Sequence, residues 1–91
     1  MPLFALICRD RDGAQQTRLD NRAAHLAYLK DSGDRVVMAG PFLDGAAMTG
    51  SLVVLDMPDR AAAQAWADAD PYARAGLFDS VVIEEWKKVI G

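Results

Sequence analysis

The sequence holds one cysteine, Cys8, and one histidine, His25. A lone thiol excludes an internal disulfide, and no Cys/His spacing of a zinc site is present. Neither a phosphate-cradling loop, a dinucleotide-binding glycine fingerprint nor a calcium-loop pattern occurs. No cofactor and no metal are therefore expected. Positive charge is also scarce: 10 Lys and Arg stand against 13 Asp and Glu, for a net charge of −3. A nucleic-acid partner, which calls for a clustered basic face, is not expected. No stretch approaches the ~18 apolar residues of a membrane span, and the N-terminus lacks the basic start and long apolar core of a signal peptide. A cytoplasmic protein without membrane contact is the expectation.

What remains is 91 residues, 52% of them hydrophobic and 25% charged. That length suits one domain over residues 1–91, with a core just large enough to fold without staples. Leu3 to Arg9 reads as a short strand, apolar on both faces, with Cys8 inside it as a small hydrophobe. Asp10-Arg11-Asp12-Gly13 is turn chemistry. From Arg18 to Ser32 the pattern is helical, with Leu19, Ala23, Leu26 and Lys30 along one face and Gly33 as the stop. Arg35 to Ala39 reads as a second strand, ended by Gly40-Pro41, and Phe42 to Thr49 as a connecting loop. Gly50 to Met57 gives a third strand. Asp59 caps a second helix whose expected buried face carries Ala62, Ala65, Trp66 and Ala69. Asp70-Pro71 breaks that helix, and Phe78 to Val89 completes the chain as a fourth strand.

The order β-α-β-β-α-β is the ferredoxin-like arrangement, an α+β fold. Right-handed crossovers place both helices on one face of a four-stranded antiparallel sheet. The strands alternate, yet both of their faces are apolar: Leu3, Ala5 and Ile7 oppose Phe4, Leu6 and Cys8. Two helices cover one face only, so the other would be a larger apolar patch than soluble monomers usually expose. A homodimer formed by sheet-to-sheet packing resolves the conflict.

Imidazole is the side chain best suited to moving protons near neutral pH. His25 shares a helical ridge with Arg18, Arg22 and Leu29, at the border of the expected apolar stripe. A purely structural role, covering the edge of the core, explains such a histidine equally well. Asp70 precedes Pro71 and suits capping of a new helical turn; capping leaves it free to serve a site as well. Asp68 reads as solvated. Gly40, Pro41, Gly50 and Ser51 lie at strand ends, where backbone and hydroxyl groups can meet a ligand, although turn geometry alone accounts for each glycine. No spacing makes Ser51 a triad nucleophile, so hydrogen bonding is its better role.

Arg22-x-x-His25-x-x-Tyr28-Leu29, Ala39-Gly40-Pro41, Gly50-Ser51 and the segment Ala65-Trp66-Ala67-Asp68-Ala69-Asp70-Pro71-Tyr72 together resemble the YCII-related (YciI-like) family over essentially the whole chain. The resemblance implies a ferredoxin-like fold assembled as a dimeric α+β barrel. It also implies a site built on a His and an Asp, which fall here on His25 and Asp70. Isomerisation of the muconolactone type and dehalogenation are associated with the fold and some relatives. The expected function is thus a cofactor-free acid-base enzyme of isomerase, lyase or dehalogenase type, acting on a small anionic or carbonyl-bearing molecule. His25 would move the proton, Asp70 orient the ring, Arg22 bind a carboxylate, and Gly40, Pro41, Gly50 and Ser51 shape the far wall. The rival is a non-catalytic dimeric module that binds a small ligand or partner, with a structural His–Asp contact. The two differ in whether the pair opens onto a cavity.

Overall fold

A computed structural model describes residues 2–91. The elements are β1 (Leu3–Asp10), α1 (Gln15–Asp31), a 3-10 turn (Gly33–Arg35), β2 (Val36–Asp44), β3 (Ala47–Asp56), α2 (Arg60–Ala69), α3 (Pro71–Arg74) and β4 (Phe78–Trp86). The four strands form one antiparallel sheet in the order β2-β3-β1-β4. This is the ferredoxin-like βαββαβ fold read from the sequence.

Register explains the core. Phe4 pairs with Leu55, Leu6 with Val53 and with Ile83, and Cys8 with Ser51. Cross-strand partners share a face, and all of these residues are buried. Ala63, Trp66 and Ala67 of α2 pack against that face, joined by Tyr28 and Leu29 of α1. The opposite face carries Ala5 beside Val54, Ile7 beside Leu52 and Val82, and Met38 beside Val54. Among the described residues no helix covers it; Met38 and Val82 are exposed, while Val54 is buried among its strand neighbours. Arg9 lays its guanidinium over Phe42 at 4.3 Å on this side.

Several expectations need correction. β2 does not stop at Gly40-Pro41 but runs on to Asp44, and the expected loop from Phe42 to Thr49 is mostly strand. β2 lies at the sheet edge. An edge strand bonds a neighbour on one side only, so a residue without an N–H is tolerated there. The true turn is Gly45-Ala46, with Gly45 at φ +59°, the left-handed conformation a tight hairpin needs. β4 ends at Trp86 rather than Val89, and α1 begins at Gln15 rather than Arg18.

The faces of both helices also differ from the expectation. On α2 the buried residues are Ala63, Trp66 and Ala67, so the helix is rotated by about one position and Ala65 and Ala69 are exposed. Trp66 is common to both faces, and its indole N–H donates to Ser32 Oγ at 2.8 Å. On α1 the change is larger. Leu19 and Leu26 are 58% and 46% exposed, while Arg18 and His25 are buried. His25 is no border residue. Burying a charged or polar group is costly unless it is paired, and both residues have carboxylate partners.

Candidate functional site

Arg18 and His25 stand at i and i+7 on α1, two turns apart, and so project from one face toward the sheet. Asp10 closes β1 just past a register shift between Arg9 and Asp10. Its two oxygens accept from Arg18 Nε at 2.7 Å and Nη2 at 2.9 Å, a bidentate pair with both side chains buried. Arg18 Nη2 also donates to Ser51 Oγ at 3.0 Å. Burial works against the Arg18 charge, but hydrogen bonding and attraction to Asp10 outweigh it and push its pKa up.

Asp70 sits at the joint between α2 and α3, where Pro71 opens the new helix. Its Oδ1 accepts from the Tyr72 backbone N–H at 3.0 Å, the capping role read from the sequence. The same atom lies 2.8 Å from His25 Nδ1. A carboxylate there favours the tautomer with the proton on Nδ1 and leaves the Nε2 lone pair unused. Among the described residues Nε2 has no hydrogen-bond partner. The imidazole stacks on the Tyr72 ring at 3.9 Å and 14°, and the Arg18 guanidinium lies 4.7 Å from the same ring. Burial raises the Tyr72 phenol above its ordinary pKa, against the lowering effect of Arg18 and Arg22, so it stays protonated at neutral pH. Tyr28 donates from its hydroxyl to the Trp66 carbonyl at 2.8 Å and ties α1 to α2 beside this cluster.

These residues open onto a cavity of about 120 Å³ between α1 and the β2–β3 hairpin. His25, Arg18, Arg22, Ser51 and Tyr72 line its polar part, and Gly40 and Pro41 its hairpin wall. Six of the seven residues expected at a site thus gather at one place, since Asp70 reaches it through His25. Gly50 does not line the cavity. A Cβ there would collide with the Cys8 carbonyl oxygen, so this glycine serves the close approach of β3 to β1. Arg22 lines the cavity from an exposed position on α1.

Sequence reasoning left Asp10, Arg18 and Tyr72 out of the site. The spacing of Arg18 from His25 along one ridge was the available signal. Cys8 lies buried beneath the site, its thiol pushed up to about 12 by burial and then by Asp70 and Asp10. That makes it inert at neutral pH rather than a nucleophile. Among the described residues, no group of three or more His, Cys, Asp or Glu side chains could hold a metal ion.

The profile of the YCII-related domain matches residues 2–87. The chain belongs to this family. Protein YciI of Escherichia coli O6:H1 (strain CFT073) is 40% identical over 97 aligned positions, covering 96% of this chain and 98% of the relative. An uncharacterized protein of Haemophilus influenzae is 34% identical, over 94% of this chain and 97% of its own length. Among solved structures, the 5-chloro-2-hydroxyhydroquinone dehydrochlorinase (TftG) of Burkholderia phenoliruptrix AC1100, in complex with 2,5-dihydroxybenzoquinone, superposes with a TM-score of 0.88. It is 35% identical and covers 93% of each chain. An antibiotic biosynthesis monooxygenase at 12% identity and TM-score 0.61 shares the fold alone.

Proposed function

We propose that this YCII-related protein is a cofactor-free acid-base enzyme of isomerase, lyase or dehalogenase type. The observation that carries the proposal is the 2.8 Å contact of His25 Nδ1 with Asp70 in a histidine that also lines a cavity. Asp70 holds the ring, and Nε2 takes a proton from carbon or oxygen of the substrate. In an elimination the C–H electron pair becomes the new double bond, the leaving group departs with its own pair, and the proton rests on Nε2. Arg22 attracts an anionic group at the cavity mouth, with Gly40, Pro41 and Ser51 as the far wall.

Size and likeness narrow the substrate. The space here of about 120 Å³ is smaller than a cavity of about 150 Å³ that admits benzene, so a single ring would sit partly in the open side of the cavity and a smaller molecule wholly within it. The dehydrochlorinase relative, which acts on a chlorinated hydroxyhydroquinone and binds a dihydroxyquinone, supports a small anionic or carbonyl-bearing substrate. The apolar sheet face that no helix covers supports a homodimer packed sheet to sheet, and light scattering at micromolar concentration should give twice the chain mass. The family membership supports a cytoplasmic enzyme; among the described residues no helix is long and apolar enough to cross a membrane.

The rival, a non-catalytic binding module, draws on one observation: His25 is deeply buried and stacked on Tyr72, as a structural pair would be. Incubation with chlorinated hydroxyhydroquinones and enolisable diones, followed by chloride release and absorbance, separates the two. The enzyme reading predicts turnover that falls on the order of 10²–10⁴-fold in His25→Ala, with His25→Gln as the variant closer in size. A His25→Ala protein with full turnover would sink it.

A further inference from the structure

We infer that Arg18, clamped by Asp10, is a positioning residue that aims the Ser51 hydroxyl as a hydrogen-bond donor at a ligand oxygen. The cavity then takes a small ring bearing a quinone carbonyl, phenolate or enolate oxygen. This deepens the acid-base reading and rests on it for the reactivity of the ligand, but the binding contact stands on separate residues.

The direction of one hydrogen bond carries the inference. Arg18 Nη2 donates to Ser51 Oγ at 3.0 Å. A guanidinium has no acceptor, so the hydroxyl cannot donate back and must send its own proton elsewhere. Among the described residues Ser51 makes no other side-chain hydrogen bond, although it is 3% exposed and lines the cavity. A buried hydroxyl with an unused proton carries a desolvation cost that an acceptor in the cavity, whether water or a ligand oxygen, removes. Its oxygen already accepts from a cation, which polarises the O–H and strengthens it as a donor.

Arg18 is held in this direction from two sides. Both oxygens of Asp10 occupy its Nε–Nη2 edge, and Tyr72 lies against the guanidinium at 4.7 Å. The carboxylate offsets the guanidinium charge, and the Ser51 hydroxyl presents a directed neutral donor to the ligand. Such a donor matches an oxygen on which charge grows as His25 removes a proton, because the contact strengthens as the enolate forms. Ser51 and His25 line the same cavity and thus serve the two ends of one proton abstraction.

The probe is 2,5-dihydroxybenzoquinone, whose absorbance reports both binding and the environment of its oxygens. The full chain should bind it, with Ser51→Ala weakening Kd on the order of tenfold or more, the loss expected for a hydrogen bond to a charged oxygen. Ser51→Cys, which keeps the volume but replaces the donor by a weak one, should behave like Ser51→Ala. Arg18→Lys should shift the absorption maximum of the bound probe toward that in Ser51→Ala, a change that a merely structural arginine would not produce. Leu19→Gln, on the outer face of α1, should retain binding. Wild-type affinity in both Ser51 variants, or no binding by the wild type at millimolar probe, would overturn the inference even if His25 proves catalytic. Loss of affinity in the Ser51 variants together with full turnover in His25→Ala would overturn the acid-base reading and leave the Ser51 contact standing.

Discussion

The two long helices obey opposite rules. On α2, the apolar Ala63, Trp66 and Ala67 face the sheet, and Asp59 caps the start by accepting from the Ala62 N–H at 2.8 Å. On α1, no side chain caps the start, Arg18 and His25 face inward, Leu19 faces out, and Leu26 is half-exposed at the cavity. α2 is held by the core it helps to build. α1 is held by the Arg18–Asp10 ion pair and hydrogen bonds to Ser51 and Asp70, together with the packing of Tyr28 and Leu29. On the proposed reading, this polar burial makes α1 the helix that carries the site.

Four variants or conditions can break this contrast. The largest effect is expected on α2. Trp66→Ala removes a buried indole and its bond to Ser32, and urea denaturation should register a loss of about 3–5 kcal/mol. A loss below about 1 kcal/mol would mean that α2 is not the core helix. On α1, Asp10→Ala strands Arg18 buried without its carboxylate. The same measurement should show a loss of about 3 kcal/mol, and wild-type stability would show that the pair does not hold α1.

Alkaline pH tests the buried floor beneath α1. An unfolded thiol gives up its proton near 9.0, whereas Cys8 in the folded chain keeps its own to about 12. The stabilisation is therefore complete below pH 9 and is lost as pH rises from 9 toward 12, because the unfolded state alone gains by ionising. Cys8→Ala should flatten that limb of the stability profile. An identical alkaline limb in Cys8→Ala would contradict the assignment. The smallest effect belongs to the outer face of α1, where Leu19→Gln should change chain stability by less than about 0.5 kcal/mol. A cost of 2 kcal/mol or more would place Leu19 in a core after all.

The fold was legible because strand alternation, the Asp59 cap and the order of apolar segments are local signals. Pro41 misled because its tolerance depends on β2 lying at the sheet edge, which is settled by partners far along the chain. The face of α1 misled for a deeper reason. Periodicity assumes that apolar residues turn inward, and a polar inward face is affordable only through partners such as Asp10 and Asp70, distant in sequence and set beside α1 by the fold. His25 and Asp70 could be proposed as a pair through the family resemblance, not through spacing. Tyr72 lay in view within the Asp70-Pro71-Tyr72 segment, but its stacking on His25 is a tertiary fact.

His25 is the only histidine of the chain, so its ring nitrogens give unambiguous signals in ¹⁵N NMR. The central claim is that Asp70 keeps the proton on Nδ1 and leaves Nε2 free to act as the base. The neutral ring should then show a protonated Nδ1 and an unprotonated Nε2, and Asp70→Ala should shift the tautomer balance toward Nε2–H. A neutral ring already protonated on Nε2 in the wild-type chain would contradict the account.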